Sequence, residues 1–561
     1  MESNTRVPSW AAALIGLVSG AVAVGVSLLA AGLVKASAFP VVAVGDAVVD
    51  LTPAGLKEWA IRTFGENDKT VLLAGIFLVL AAIAAAVGVL AARDIRYGLA
   101  GLAAFGGVGI LAVLTRPDAG PVDVVPTVAG VAAAVFALHR LMRRAMPPGS
   151  PRSSVAVAAR PAGDLSAERS PDGGHDARPR GGTPEVSERS EAQMPPIMRA
   201  EQDLHAFDRR GLLTGVLGGV VVAGTAGVIG RALSGRAQVD AARVGLALPR
   251  PSSPAVPLPA GADLKIGGLS SFVTPNQDFY RVDTALAVPQ VDPRSWTLKI
   301  HGMVDRPVEL TFADLMKRPP VEADITLCCV SNEVGGPYIG NARWLGVRLA
   351  DVLRDAGVHR GADMLLSTSA DGWTCGTPVD VVLDGRDALL AFAMNGEALP
   401  IDHGFPVRQV VPGLYGYVSA TKWVTEIKVT RFDQDEAYWT PRGWSARGPI
   451  KTQSRIDLPK DGARVAAGRT VIAGVAWAQH KGVDAVEIRI DRGRWRQARL
   501  AEAPTADTWR QWVIDDWDAT PGRHTIEVRA TDATGYTQVA DRAPVAPDGA
   551  TGWHTIEVEV A

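Results

Sequence analysis

Thr326-Leu327-Cys328-Cys329-Val330-Ser331-Asn332-Glu333-Val334-Gly335-Gly336 is the stretch on which the reading of this chain turns. Asp324 to Val330 has the texture of a buried strand, and a polar loop ending in two glycines follows it. Side chains alternate across a strand, so the adjacent thiols of Cys328 and Cys329 point to opposite faces. One can enter a core while the other faces a cavity. Two readings stay open from the residues alone. One is a pair of buried, inert thiols. The other is a thiolate at a strand end, beside a loop with free backbone N–H groups, which suits a soft metal. A redox bond between the neighbouring thiols is the strained and uncommon third case. Cys375 is the remaining cysteine, and three in 561 residues exclude a disulfide scaffold. They are also too few for an all-cysteine zinc site or a cysteine-held iron–sulfur cluster. No C-x-x-C-H is present, so no c-type haem attachment is expected.

Outward from that stretch the chain is globular from about Leu264 to Trp444. Trp296 to Val304 alternates like a strand, Pro307 to Thr311 follows it, and Phe312 to Lys317 reads as a short helix. Leu345 to Ala356 has helical spacing with Gly357 as its stop. Ala388 to Met394 is apolar and runs into Asn395-Gly396, a tight-turn signal. Val407 to Val411 and Trp423 to Val429 read as strands. Beyond this mixed α+β region the texture changes. Thr470–Ala478, Ala485–Asp491, His524–Ala530 and His554–Val560 are short strands between Gly/Asp turns, the spacing of a β-sandwich. Trp477, Trp495, Trp509, Trp512 and Trp517 are expected in its core or at an interface.

Several motifs recur in a fixed order around the cysteine loop. Phe279-Tyr280-Arg281 leads to Pro289, and Trp296-Thr-Leu-Lys-Ile-His-Gly302 follows. After Cys329 and Asn332 come Leu389-Leu-Ala-Phe-Ala-Met-Asn-Gly-Glu-Ala-Leu-Pro400 and Asp402-His403-Gly404-Phe405-Pro406-Val407-Arg408. Val411-Pro412-Gly413-Leu-Tyr-Gly416 and Lys422-Trp423 close the series. This ordered set resembles the sulfite oxidase family of molybdopterin-dependent oxidoreductases over roughly residues 270–561. The resemblance implies an α+β molybdopterin domain followed by an immunoglobulin-like, dimerisation-type sandwich. It makes Cys329 the protein ligand of a molybdenum–molybdopterin, with Asn332 as its partner and Arg281 as a pocket residue. It gives His403, Arg408 and Lys422 the task of holding the pterin phosphate, with Ser419 and Thr421 as further donors. Arg408 suits a forked contact to such an anion. The sequence also departs from the family. Two arginines are expected after the loop asparagine, and Glu333 and Val334 stand there. Arg281 comes early and Asp283 stands near its place, while Trp373 falls near the expected active-site tyrosine. A neutral oxygen-atom acceptor or donor, such as a sulfoxide, therefore fits at least as well as a sulfite dianion.

The first third has a different solvent in mind. The chain is 47% hydrophobic with a mean hydropathy of +0.12, and most of the excess sits there. Trp10–Val34, Thr70–Ala92 and Tyr97–Thr115 are uncharged runs long enough to cross about 30 Å of hydrocarbon. Val124–Leu138 is shorter, and Gly211–Gly230 is a fifth run. Arg93, Arg96, Arg140, Arg143 and Arg144 flank them, and Arg/Pro/Gly/Ser-rich sequence continues to the fifth run. Positive-inside flanking puts the N-terminus and this basic linker in the cytoplasm, which requires Val124–Leu138 to span. Asp208-Arg209-Arg210 before the fifth run resembles a twin-arginine export signal at an internal position. Ordinary positive-inside flanking is the equal alternative. His139, His175 and His205 are the only histidines before residue 301, and no span carries a pair, so no haem is expected. Lys+Arg 57 against Asp+Glu 59 excludes a basic nucleic-acid binder.

These readings combine into one expectation. Residues 1–145 form a four-span all-α transmembrane region, 146–208 a disordered cytoplasmic linker and 209–235 a fifth span. Residues 236–263 are a tether, 264–445 the molybdopterin domain and 446–561 the sandwich. The whole is a multi-pass cell-membrane oxidoreductase with its catalytic domain extracytoplasmic. It performs two-electron oxygen-atom transfer and passes electrons to a separate cytochrome or quinone-linked protein. A methionine-sulfoxide-type reductase and a non-catalytic membrane scaffold are the alternatives. Substrate, direction, electron partner, homodimerisation and a nucleotide on the pterin stay open.

Overall fold

A computed structural model describes residues 7–53, 68–116, 119–145, 209–233 and 236–561, with isolated positions between 55 and 64. The expected linker at 146–208, with Asp208 of the twin-arginine-like motif, lies outside the described residues. The N-terminal helices are α1 (Ser9–Val34), α2 (Pro40–Leu51), α3 (Asp68–Arg93), α4 (Ile95–Leu114), α5 (Val125–Ala145), α6 (Arg209–Leu233) and α7 (Arg236–Val244). Among the described residues, five helices are long and apolar enough to cross a membrane; they correspond to α1, α3, α4, α5 and α6. The short fourth run is a full helix because a 3-10 turn at Pro121–Val124 leads directly into α5.

Small residues let these helices touch backbone to backbone. A Cβ on Gly16 of α1 would fall 2.0 Å from the Ala84 carbonyl oxygen, and one on Gly88 of α3 would fall 2.1 Å from that of Ala12. Residues 12 and 16 of α1 thus meet 88 and 84 of α3, an antiparallel pair. Val18 meets Gly219 and Leu28 meets Gly230, so α1 and α6 run in the same direction.

The α+β domain holds two sheets. The first has the order β2-β1-β10-β5-β6, with β1 Thr297–Gly302, β2 Val308–Thr311, β5 Met364–Ser369, β6 Thr374–Pro378 and β10 Val424–Thr430. The second is β3-β4-β7-β8, with β3 Val321–Cys328, β4 Ile339–Arg348, β7 Leu389–Met394 and β8 Glu397–Ala398. β9 (Arg408–Val410) pairs with β7. Both faces of β3 are covered: Ala323, Ile325 and Leu327 enter one core, while Cys328 enters the other. That is why the strand reads as a continuous apolar run. The helical spacing seen from Leu345 divides differently, since 345–348 complete β4 and the helix is Leu349–Ala356. Gly357 stops it in the left-handed conformation at φ 73°. Asn395 and Gly396 turn β7 into β8, both at positive φ.

The stretch 236–263 is not a free tether. The Val239 side chain is buried in the α+β core, and Arg243 donates to the Leu399 and Ala398 carbonyls at 2.8 and 2.9 Å. The C-terminal residues form two sheets around a shared core that includes Trp512 and Trp517. Strand Arg510–Ala519, hidden in the sequence by its charges, pairs with Gly468–Trp477 in one of them. Trp477 and Trp509 instead join the α+β core, so the tryptophans divide between core and interface.

Candidate active site

Cys329 is the first residue beyond β3. Its backbone N–H donates to the Tyr338 carbonyl at 2.9 Å, and its own carbonyl accepts from Asn332 N–H at 3.1 Å. This turn folds the loop back over the strand end. Asn332 is buried, and its Oδ1 accepts from Tyr338 N–H at 2.8 Å. Its buried Nδ2 has no nitrogen or oxygen partner and adjoins the Cys328 thiol. Burial pushes the Cys329 thiol above its ordinary pKa, against the Ser331 hydrogen bonds and the Lys422 charge. A bound metal cation reverses that balance and holds the thiolate.

Arg408 lies on β9 opposite Ala391 of β7. Its guanidinium sits 5.0 Å from the Trp344 ring centroid, and Nη1 donates to the His403 carbonyl at 3.1 Å. Its Nε is buried without a partner. Burial lowers its pKa to about 10. A buried cation with an orphaned donor is costly unless an anion joins it.

His403 and Lys422 complete the cationic side. Gly404 stands at φ 109°, and a Cβ there would come 3.1 Å from Lys422 Cα. That close approach lays the 401–408 segment against residue 422. His403 Nε2 donates to the Asn276 carbonyl at 3.2 Å, an acceptor that fixes the tautomer. Burial, then the Arg408 and Lys422 charges, hold its pKa at about 3. Of this trio, the standing positive charge therefore comes from Arg408 and Lys422, and His403 acts as a neutral hydrogen-bonding group. Lys422 Nζ donates to Asp283 Oδ2 at 2.7 Å and to the Asp402 carbonyl at 3.2 Å. Arg281 is 38% exposed and pairs with Asp283 at 3.2 Å and Asp402 at 3.3 Å. Ser419 Oγ donates to the Tyr415 carbonyl at 3.0 Å, and Thr421 Oγ1 shares a 2.6 Å hydrogen bond with Ser367. Both hydroxyls are buried and already engaged.

Two participants escaped the sequence reading. Tyr280 is stacked on Phe279 at 5.3 Å. Its hydroxyl is pushed well above its ordinary pKa by burial and by Cys329 and Cys328, against the Arg408 charge. It therefore shares the pocket of the cysteine and the arginine as a neutral donor. Asp283 stands near the place of an arginine that the family resemblance implies, and it bridges Arg281 and Lys422. The signal for both was their place beside the Phe-Tyr-Arg motif. Glu333 is exposed on the loop, and Trp373 lies at a cavity between the helical bundle and this domain.

Among the described residues no group of three or more His, Cys, Asp or Glu could hold a metal. A metal held here would take most of its ligands from a cofactor. The orphaned Arg408 Nε fits an anionic, acceptor-rich pterin.

Residues 285–439 match the oxidoreductase molybdopterin binding domain family. The mouse mitochondrial sulfite oxidase is 32% identical over 291 residues, covering 43% of this chain and 53% of that protein. The uncharacterized oxidoreductase YuiH of Bacillus subtilis (strain 168) is 36% identical over 183 residues, 32% of this chain and 89% of that protein. The sulfane dehydrogenase SoxCD structure from Paracoccus pantotrophus is 25% identical, with a TM-score of 0.45, over 55% of this chain and 91% of that one. The chain spans about half the length of the mouse enzyme. With the cysteine loop, the arginine cradle and these relatives in agreement, the chain belongs to the sulfite-oxidase family of molybdopterin-binding oxidoreductases.

Proposed function

We propose that this chain is a membrane-anchored, extracytoplasmic molybdenum-cofactor oxidoreductase that transfers an oxygen atom to or from a small sulfur compound. The observation that carries the reading is a buried thiol at Cys329 sharing its pocket with the buried Arg408 guanidinium, whose Nε is an orphaned donor. When bound, the cofactor supplies two-electron oxygen-atom transfer. Cys329 would hold its metal, and Arg408 and Lys422 its phosphate. Asn332 and Tyr280 present neutral donors, and Arg281 sits at the exposed margin. Ser419 and Thr421 brace the backbone before Lys422, their hydroxyls being engaged with Tyr415 and Ser367.

The membrane part rests on side chains turned outward. Leu78, Phe136 and Leu217 are 73%, 71% and 65% exposed on the long helices, an arrangement that only a hydrocarbon solvent makes favourable. Arg93, Arg96, Arg140, Arg143 and Arg144 stand at one end of the bundle, which is the cytoplasmic end by charge. The catalytic domain packs at the other end. The C-terminal two-sheet unit acts as an immunoglobulin-like, dimerisation-type domain, and electrons leave or enter through a separate carrier.

Asp283 beside Lys422 and Arg281 trims the positive charge of the pocket. This favours a neutral sulfoxide over sulfite and keeps a methionine-sulfoxide-type reductase as the second reading. Metal analysis of the purified full chain, with fluorescence of its oxidised pterin, tests the proposal. About one molybdenum and one pterin per chain is the expected outcome. Neither, after expression in a host that makes the cofactor, would leave a scaffold with the fold.

A further inference from the structure

A partly open cavity of about 440 Å³ lies between the helical bundle and the catalytic domain. Its bundle side comes from α2 and from the outer ends of α1 and α4. Its other side is the segment 284–291, the turn 370–373 and Tyr438. Valines and alanines of α2 and α4 give it an apolar floor, and Leu286 reaches across to Gly45. Set into that floor are polar groups of both kinds. Arg116 Nη1 donates to Asp46 Oδ2 at 2.9 Å and to the Ser37 carbonyl at 2.8 Å. Tyr438 donates to Asp50, and Arg442 stacks on the Tyr438 ring at 3.7 Å. Trp373 faces the same space.

The cavity is wired to the active site twice. Thr284 in its wall follows Asp283, which holds Lys422 at 2.7 Å. Ala370 in its wall donates its N–H to the Trp423 carbonyl at 2.9 Å, and Trp423 follows Lys422. Lys422 in turn acts on the Cys329 thiol. One residue therefore separates the cavity wall from the active site on each path.

From this placement we infer that the cavity binds a lipid-soluble quinone, its ring between Asp46–Arg116 and Trp373 and its tail along the outer ends of α1 and α4. The inference rests on the redox function proposed above and names its electron carrier. Adding an oxygen atom from water to a substrate releases two electrons and two protons. A quinone accepts both pairs, forms two O–H bonds and leaves as the quinol. In the reverse direction the quinol supplies them. The lining suits that exchange. Arg116 can donate to a quinone carbonyl, and Asp46 can pass protons. Burial, with Asp371 and Asp50 adding to it against Arg116, raises Asp46 to about 6, where a carboxyl exchanges protons near neutrality. A phospholipid phosphate would need an excess of cations, and the carboxylates here oppose it. A protein carrier would need a broad outer face, and this space is a cleft between two parts of the chain.

The test uses the full-length chain in nanodiscs, titrated with decylubiquinone and with a short-tailed menaquinone. A photoreactive azidoquinone then maps the contact by mass spectrometry. Saturable binding with labels on α2 or 370–373 is expected. Arg116→Gln should weaken binding about tenfold, as for one lost charge-assisted hydrogen bond. Leu286→Trp, which fills the space from the other side, should weaken it at least as much. Both variants should keep the molybdenum content of the parent, which certifies their fold. Absence of saturable binding in a molybdenum-replete chain overturns the inference and spares the oxidoreductase reading. So does binding that neither substitution changes, or a co-purifying phospholipid that quinone cannot displace. Quinone binding by a chain that never acquires molybdenum supports the site and overturns the oxidoreductase reading instead.

Discussion

The two halves of this molecule obey opposite packing rules. In the bundle, large side chains such as Leu78 and Phe136 face outward while Gly16 and Gly88 form the contacts. In the catalytic domain Trp344 and Phe405 are fully buried, and charge is what lies at the surface. Two buried charges there are instructive by contrast, because Asp324 is paired with Arg343 while Arg408 is placed where an apolar residue would pack best. Helices in hydrocarbon gain nothing from hiding leucine, so they associate through close backbone contact. A water-soluble domain gains most from hiding it and tolerates a buried cation only where a ligand compensates.

The largest effect should come from the cysteine. Cys329→Ser should strip molybdenum from the purified chain, with metal content falling by about tenfold or more, while Cys328→Ser should keep it. Equal metal in both variants would remove the distinction between the two thiols. Next comes Arg408→Met, which should lower pterin content yet leave the cofactor-free chain more stable by roughly 1–4 kcal/mol. Thermal unfolding of the full chain with and without cofactor reads both halves of that claim. A variant that is less stable in both forms would show that the guanidinium is structural. In the bundle, Gly16→Leu should cost about 1–3 kcal/mol by forcing α1 away from α3. Gly75→Leu, which meets nothing within 4 Å, should be close to neutral in a membrane. Steric denaturation in mixed micelles would compare them, and equal losses would mean that the close contact is not where the bundle is held.

The smallest effect is in pH. The folded state holds His403 at about 3, below its unfolded value of about 6.5. The unfolded chain therefore binds the proton first as pH falls. Stability from this group is complete above pH 6.5 and declines below it toward about 3, by up to about 1.4 kcal/mol per unit. Unfolding of the cofactor-free chain between pH 7 and 5 should show the decline, and His403→Gln should flatten it. An unchanged slope would mean that the ring is protonated in the fold.

Much of the molecule was legible because its signals are local. The long apolar runs announced their helices, and β7 with its Asn395-Gly396 turn was visible in twelve residues of sequence. The boundary at Leu345 was not, because 345–348 face a core on β4 and mimic one turn of an amphipathic helix. Strand Arg510–Ala519 was hidden by acidic residues on its exposed side. The stretch after α6 looked like a tether because its Pro/Ala composition says nothing of the surface on which Val239 and Arg243 dock.

By itself the sequence determined the five apolar helices, the strand that delivers Cys329 and the turn that returns Asn332 to it. Each depends on neighbours within a few residues, where backbone geometry leaves little choice. Only the tertiary structure decided that Asp283 answers Lys422 across 139 residues, that Tyr280 shares the pocket of the cysteines, and that a cavity forms where the bundle meets the catalytic domain. Those depend on which groups are removed from water together. Burial and the pairing of charge are properties of the packed chain, and no local pattern encodes them.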